Sequence, residues 1–267
     1  MSQSRRDGIG NVLLIAVSVC LVCSILVSVA AVALKPAQTT NRVLDRKQNV
    51  LVAAGLLPEG ATSDVQGRGI DEIFQDFEVR VVDLRTGEYV DDIDPDSYDQ
   101  IRAARDPVRS RALVGEEDIA TLKRLEQYGL VYLKRDADGD IETAVIPVRG
   151  YGLWGTLYGF LALDGDFETV AGIGFYEHKE TPGLGGEIQN PRWKAIWEGK
   201  DLYGPDGAPA IDVTKSMAPA GSPEREHQVD MLSGATMTSR GVENLVNFWV
   251  GELGYGPYLK SMQGGNA

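Results

Sequence analysis

Residues Asp230–Arg240 read Asp-Met-Leu-Ser-Gly-Ala-Thr-Met-Thr-Ser-Arg, and an apolar run follows them directly. From Val242 to Leu253 the apolar residues recur at the i, i+3, i+4, i+7 spacing of an amphipathic helix. Such a helix packs one face on the core of a domain, so this stretch predicts the main helix of the C-terminal region. The entrance of that helix carries four hydroxyl side chains: Ser233, Thr236, Thr238 and Ser239.

The hydroxyl cluster has two interpretations. Ser and Thr often cap helices by accepting hydrogen bonds from free first-turn N–H groups, but one cap needs only one side chain. No capping box is present, because Val242 rather than Glu or Gln follows Ser239 by three positions. The surplus of hydroxyls favours the second interpretation, a helix N-terminus that binds phosphate and a hydroxyl that contacts the phosphate or is esterified by it.

The composition excludes several classes of function. The chain has 267 residues, 43% of them hydrophobic, which is enough for one or two domains with a sizeable core. A formal net charge of −13 argues against a nucleic-acid partner, because phosphate neutralisation requires clustered Lys and Arg. Two Cys and two His argue against a zinc or iron–sulfur site built from this chain alone. Any redox chemistry must therefore come from an added cofactor.

The N-terminal region predicts a membrane anchor. Residues Val12–Leu34 contain no charged side chain, and about 20 apolar residues cross a bilayer as a helix. A secretory signal peptide is the alternative, but its apolar section is normally about 7–15 residues, so a retained anchor is favoured. Positive charges stand on both sides of the run, so the positive-inside rule does not decide its orientation. Both cysteines, Cys20 and Cys23, are interpreted as small apolar residues of this helix.

The region after the anchor predicts an α+β fold, with an antiparallel sheet flanked by helices, behind one N-terminal transmembrane helix. Short apolar runs separated by Gly and Asp turns predict strands at Leu130–Lys134, Thr143–Val148, Thr156–Leu163 and Thr169–Tyr176. Upstream of these, Glu78–Val90 predicts a hairpin, and helices are predicted at Gln38–Leu57, Asp71–Phe77 and Asp118–Tyr128. Asp136–Asp140 could begin a calcium loop, but it lacks the remaining ligands, so a hairpin turn is favoured.

Two glycine-rich loops are candidate binding elements. Gly150–Gly155 fits G-x-G-x-x-G, but the dinucleotide fingerprint requires a helix next, and the residues that follow are strand-like. That loop presents Trp154 either as a surface for a planar ring or as a core residue at the sheet edge. In the second loop, His178–Glu187, Leu184 stands between glycines as a surface plug or as an apolar lid on a ligand. Thr181 could supply a hydroxyl there, although a plain turn is the commoner role of such a loop.

The motifs together resemble a known family. Asp230–Thr236 matches the D-x-x-[ST]-G-A-[ST] motif at which flavin transferases attach FMN to the last hydroxyl through a phosphoester. With Glu177–Glu187, Asn190–Trp193 and the anchor, the chain resembles NqrC, the C-type subunit of the sodium-translocating NADH:quinone reductases. The resemblance implies that Thr236 carries FMN, and the other residues implied are Asp230, Ser233, Gly234 and Ala235 in the attachment motif, Trp154 and Leu184 beside the isoalloxazine ring, and Thr181 and Gly185 lining the pocket.

The resemblance also implies an activity and its setting. The chain would be an electron carrier in a sodium-exporting translocase that passes electrons from NADH toward ubiquinone, with no catalytic residue and no metal ligand of its own. Its partners would be the A, B, D, E and F type subunits, the flavin transferase and the membrane. The flavin domain of this single-pass inner-membrane protein would lie on the periplasmic side. The domains expected are residues 1–36 as tail and transmembrane helix, 37–128 as a membrane-proximal region, and 129–267 as the FMN-binding domain.

Two alternatives stay open at this point. The G-type subunit of the Rnf ferredoxin–NAD complex shares both motifs, although the long segment Val43–Val148 and the continuation Gly186–Trp193 favour the quinone reductase. A membrane-anchored binding domain without redox activity, in which the hydroxyls merely cap a helix, is the third hypothesis.

Overall fold

The long apolar segment near the N-terminus is helical in the computed structural model, which describes residues 8–264. Helix α1 covers Ile9–Ala53, and one 18-residue window of it reaches a mean hydropathy of 3.0. Among the described residues, α1 is the one helix long and apolar enough to cross a membrane. The helix predicted at Gln38–Leu57 is confirmed as far as Ala53, where α1 ends. The first seven residues of the predicted tail lie outside the described residues.

The chain divides into two units, one up to Arg46 and one from Lys47 onward. The second unit contains the remaining α-helices, which are α2 (Ile70–Phe74), α3 (Gln100–Arg105), α4 (Pro191–Ala195), α5 (Pro223–Glu226), α6 (Thr236–Val250) and α7 (Gly256–Gln263). Its strands are β1 (Phe77–Asp83), β2 (Ser110–Ala112), β3 (Arg124–Glu126), β4 (Tyr128–Arg135), β5 (Ile141–Tyr151), β6 (Thr156–Asp164), β7 (Val170–Glu177), β8 (Asp212–Thr214) and β9 (Gln228–Asp230).

Five strands form the central sheet in the order β1-β4-β5-β6-β7, and every neighbouring pair is antiparallel. The four strands predicted from residue 130 onward are all confirmed, as is the α+β class. The hairpin turn at Asp136 is confirmed too, because its side chain accepts the N–H groups of Asp138 and Asp140. Strand β1 lies in the predicted membrane-proximal region, residues 37–128, yet it pairs with β4, most of which lies in the predicted FMN-binding domain. The domain boundary at residue 128 stays a prediction.

Helices cover both faces of the sheet. Successive side chains of a strand point to opposite faces, and on β5 Ile146 packs with one apolar cluster while Val145 packs with the other. The first cluster includes Leu245 and Trp249 of α6, and the second includes Val50 of α1. Burying α6 against the sheet fixes the position of its N-terminus, which carries the hydroxyl residues.

The helix predicted at Asp118–Tyr128 is wrong: the segment is a tight loop followed by β3. Both carboxylate oxygens of Asp118 accept backbone N–H groups, from Leu122 at 2.6 Å and Lys123 at 2.7 Å. Thr121 has φ +56° and Lys123 has φ +67°, and neither value is compatible with a right-handed helix. An Asp side chain that bonds nearby backbone in this way competes with helix formation.

Candidate functional site

Helix α6 begins at Thr236, six residues before the start of the apolar run, and no side chain caps it. The residue before it is Ala235, which has no polar side chain, and no side-chain cap hydrogen bond is made. The Thr238 hydroxyl instead donates to Glu180, and the Ser239 hydroxyl accepts the N–H of Leu232 at 3.2 Å. The capping interpretation is therefore wrong. First-turn N–H groups have no intrahelical acceptor, so this helix entrance is open to an anion.

The segment before α6 is held by its backbone. Asp230 ends β9, which pairs in parallel with β8, and its carbonyl accepts the indole N–H of Trp193 at 2.8 Å. Gly234 has φ +75°, a left-handed conformation that glycine adopts without strain. This conformation leaves Ser233 and Gly234 exposed and Thr236 half-buried. Thr236, the predicted attachment residue, is thus partly exposed at the helix entrance.

A buried carboxylate joins three separate segments. Glu180 is only 5% exposed, and its Oε1 accepts the N–H groups of Leu153 at 3.0 Å and Trp154 at 2.9 Å. Its Oε2 accepts the Thr238 hydroxyl at 2.5 Å. One carboxylate of the second glycine-rich loop therefore accepts hydrogen bonds from the first glycine-rich loop, which carries Trp154, and from the first turn of α6. Glu180 could not be singled out from the sequence, since a single Glu in a Pro-Gly loop has no distinguishing pattern.

Glycine makes this close approach possible at Gly185. A Cβ atom there would lie 2.5 Å from Oγ1 of Thr238 and 2.7 Å from Oε2 of Glu180, well inside van der Waals contact. Gly185 was predicted to line the pocket, and the structure places it directly against the first turn of α6. Its lack of a side chain allows the loop to close on the helix.

The two predicted ring-flanking side chains lie on the surface near this junction. Trp154 is 62% exposed, so the alternative of a core tryptophan is wrong. Leu184 is 46% exposed, and its Cδ2 lies 3.1 Å from the position a Cβ of Gly234 would take, so it borders the attachment segment. Thr181 is exposed, and its carbonyl accepts the N–H groups of Leu184 and Gly186. The structure therefore brings Trp154, Leu184 and the Thr236 segment into one region.

A cleft of about 540 Å³ borders the attachment segment. It is lined by Gly183, Glu187, Asn190, Arg192, Trp193, Ile196, Asp230, Met231, Leu232 and Ser233. The cleft reaches Asp230 and Ser233, two residues of the predicted attachment motif, but neither Trp154 nor Thr181 lines it. Gly183 and Glu187 of the second loop line the cleft, whereas no residue of the Gly150–Gly155 loop does.

Replacing Glu180 tests whether one acceptor organises the site. We expect Glu180→Ala to lower the free energy of unfolding by about 2–4 kcal/mol, because three donors lose a charged, buried acceptor. Glu180→Gln should cost about 1 kcal/mol, because its amide oxygen still accepts both backbone N–H groups and its NH₂ can donate to Thr238. Urea unfolding of the full chain in detergent, followed by tryptophan fluorescence, measures both. Equal losses for the two variants would contradict this role.

Comparison with known proteins identifies the family. Residues 152–251 match the family model of the FMN-binding domain, an interval that contains Trp154, the second glycine-rich loop and the attachment segment. The C-type subunit of the Na(+)-translocating NADH-quinone reductase of Pseudomonas aeruginosa is 48% identical, over 99% of this chain and 100% of that protein. The corresponding subunit of Yersinia pestis is 46% identical, over 98% of this chain and 96% of that protein. The chain belongs to the NqrC family of Na(+)-translocating NADH-quinone reductase subunits.

A solved structure of the NqrC family agrees with the fold. The crystal structure of Shewanella oneidensis NqrC matches with a TM-score of 0.72 and 32% identity, covering 83% of this chain and 98% of that one. The predicted family is confirmed, and the full-length relatives favour it over the Rnf alternative. The apolar helix α1 fits single-pass anchoring of an NqrC subunit in the membrane.

Proposed function

We propose that this NqrC-family chain carries FMN covalently, through a phosphoester on Thr236, and relays electrons within the membrane complex. The observation that supports this most directly is the uncapped N-terminus of α6, where Thr236 is the first helical residue of a matching attachment motif. The match of residues 152–251 to the FMN-binding domain supports the identity of the cofactor.

The residues at the helix entrance fit a phosphate. The free N–H groups of the first turn point along the helix axis, and the positive end of the helix dipole favours an anion there. Ser233 and the exposed backbone at Gly234 stand beside Thr236 and can donate further hydrogen bonds. Asp230, Gly234 and Ala235 would set the turn that presents Thr236 to the flavin transferase.

The exposed apolar side chains fit a planar ring. Trp154 and Leu184 would flank the isoalloxazine ring, because aromatic and apolar surface of this kind is normally covered by a partner. Thr181 and Gly185 would line the pocket. FMN supplies the electron chemistry when bound, and the protein supplies orientation. Glu180 would keep the backbone at Trp154 in register with the first turn of α6, which holds the ring-packing surface near the tether.

A covalent tether suits the location that we propose, an inner-membrane subunit with its flavin domain on the periplasmic side. A flavin held there without a covalent bond would be lost on dissociation, since little free FMN would be available to replace it. The phosphoester prevents that loss. In this setting the chain passes electrons between redox centres of the A, B, D, E and F type subunits, on the route from NADH toward ubiquinone that is coupled to sodium export.

Mass spectrometry of the protein from its native host tests the proposal. We expect the intact chain to be heavier than its amino acids by one FMN less one water. Proteolysis should place that addition on the peptide containing residues 230–240. An unmodified intact mass, from cells that contain an active flavin transferase, would refute the covalent linkage and with it the proposed relay.

A further inference from the structure

A second cavity, of about 410 Å³, lies between α3, the loop before β3, and the strands β5 and β6. It is lined by Ile101, Ala104, Arg105, Thr121, Leu122, Lys123, Arg124, Arg149, Thr156 and Tyr158. Four of these ten residues are cationic and none is acidic. The chain has a formal net charge of −13, so a cavity whose charged lining residues are all cationic is unusual in it. Such a lining favours an anionic ligand or an acidic side chain of a partner.

Most of the positive charge in this cavity has no carboxylate partner within the described residues. Arg149 is the exception, because it forms a two-oxygen ion pair with Glu126 at 2.6 Å. Arg124 donates to the Ser110 hydroxyl and to backbone carbonyls, none of which neutralises it. Arg105 and Lys123 are exposed, and neither belongs to an ion pair within residues 8–264. Arg105, Lys123 and Arg124 thus give the lining of the cavity a net positive charge.

The loop that carries Lys123 is held by hydrogen bonds to its backbone. Its anchor is the Asp118 carboxylate, which accepts the N–H groups of Leu122 and Lys123 and does not itself line the cavity. The carbonyl of Ala120 accepts the N–H of Tyr151 at 2.9 Å, which joins the loop to β5. A pre-organised cationic site loses little conformational entropy on binding, which favours specific recognition over diffuse attraction.

Three exposed apolar side chains lie within three positions along the chain of residues that line this cavity, and we call them its apolar border. Ile119, Tyr151 and Leu153 are each exposed by 43–45%. Thr156 lines the cavity and follows Trp154 by two positions, which corresponds to about 7 Å of chain. Aromatic and Arg side chains together are typical of the centre of protein–protein interfaces. A small free anion would need the cationic cavity but would leave this apolar border unexplained.

We propose that this cavity and its apolar border are a docking surface for a neighbouring subunit of the reductase, which inserts a carboxylate side chain against Arg105 and Lys123. Membership in a family of multi-subunit reductases supplies the partner. Attraction between opposite charges fixes the orientation of docking. Docking here would place the partner near the loop that carries Trp154, which would favour electron transfer. Only this benefit rests on the proposed flavin site; the docking itself does not.

Zero-length cross-linking of the assembled complex tests this docking. A carbodiimide joins a lysine amine to a carboxylate in direct contact, so we expect a cross-linked peptide that pairs Lys123 with an acidic residue of another subunit. Lys123→Arg keeps the charge but removes the amine, and it should abolish this cross-link while the complex still assembles. If Lys215 and other exposed lysines cross-link to neighbours and Lys123 does not, the docking surface is wrong.

Charge removal gives the second measurement. We expect the double variant Arg105→Gln with Lys123→Gln to reduce recovery of the other subunits with the tagged chain by about tenfold at moderate salt. Arg102→Gln is the matched control, because Arg102 lies on the same helix but does not line the cavity. Recovery of the double variant equal to that of Arg102→Gln would overturn the proposal.

Two more experiments distinguish docking from flavin loss and from the binding of a free anion. Thr236→Val should retain the Lys123 cross-link, so a missing flavin and a missing docking contact are distinguishable outcomes. If inorganic phosphate raises the unfolding temperature of the purified full chain, fails to do so for the double variant, and Lys123 forms no cross-link, the cavity binds a free anion and the docking proposal is wrong.

Discussion

We expect Thr236→Val to abolish the proposed covalent flavin: after co-expression with a flavin transferase, the wild-type band on a denaturing gel should fluoresce under ultraviolet light and the variant band should be dark. Valine keeps the branched shape of threonine but has no oxygen with which to form the phosphoester. Because Thr236 is half-buried at the first position of α6, the change should alter the free energy of unfolding by only about 0.5 kcal/mol. The loss therefore reflects chemistry rather than folding.

Neighbouring hydroxyls provide the controls for this experiment. Thr236→Ser should keep a fluorescent band, since serine supplies the same oxygen. Ser233→Thr should also remain fluorescent, because threonine fits the same motif position and the proposed linkage is on Thr236. If Thr236→Val fluoresces and Ser233→Ala does not, the flavin is attached to Ser233, and the proposed linkage on Thr236 is refuted.

Glu126→Gln should cost about 3–5 kcal/mol of unfolding free energy, a large share of the stability of an ordinary domain. Glu126 and Arg149 are both buried, and their side chains meet through two contacts of 2.6 Å. Burial alone would favour a neutral Arg149, but the Glu126 carboxylate and its hydrogen bonds outweigh that effect and raise the pKa of Arg149. The guanidinium thus stays charged, and without Glu126 it is a buried charge with no counter-ion. Thermal and urea unfolding of the full chain measure the loss.

The double variant Glu126→Leu with Arg149→Met is the matched control. Removing both charges leaves no uncompensated ion, and such replacements are often neutral or stabilising. We expect the double variant to recover most of the stability lost in Glu126→Gln. A double variant less stable than Glu126→Gln would indicate that the hydrogen bond from Gln100 to Glu126 and other polar contacts matter more than the ion pair.

Much of the fold could be predicted from local pattern. The four strands from residue 130 onward alternate with turn residues, and the structure confirms each of them in one antiparallel sheet. The helix predicted at 118–128 is wrong, because one side chain decides the backbone conformation of this segment. Asp118 bonds the backbone of Leu122 and Lys123, and no periodicity reports that contact.

The residues of the candidate site, too, could be predicted only in part from local sequence pattern. The attachment motif, Trp154 and Leu184 stand out as unusual residues in short segments, so they could be named in advance. The buried Glu180 could not, although it bonds to both the Trp154 loop and α6. The cationic cavity around Lys123 could not be named either, because its lining comes from three parts of the chain that are distant in sequence.

By itself the sequence determined the apolar anchor, the strand and helix periods, and the motif that ends in Thr236, because each depends on residues a few positions apart. Only the tertiary structure decided that α6 begins uncapped and that its first turn meets two loops at one carboxylate. Glu180 and Thr238 stand 58 positions apart, and burial against the sheet is what brings them within hydrogen-bonding distance. Packing is a property of the whole chain, and a short pattern does not contain it.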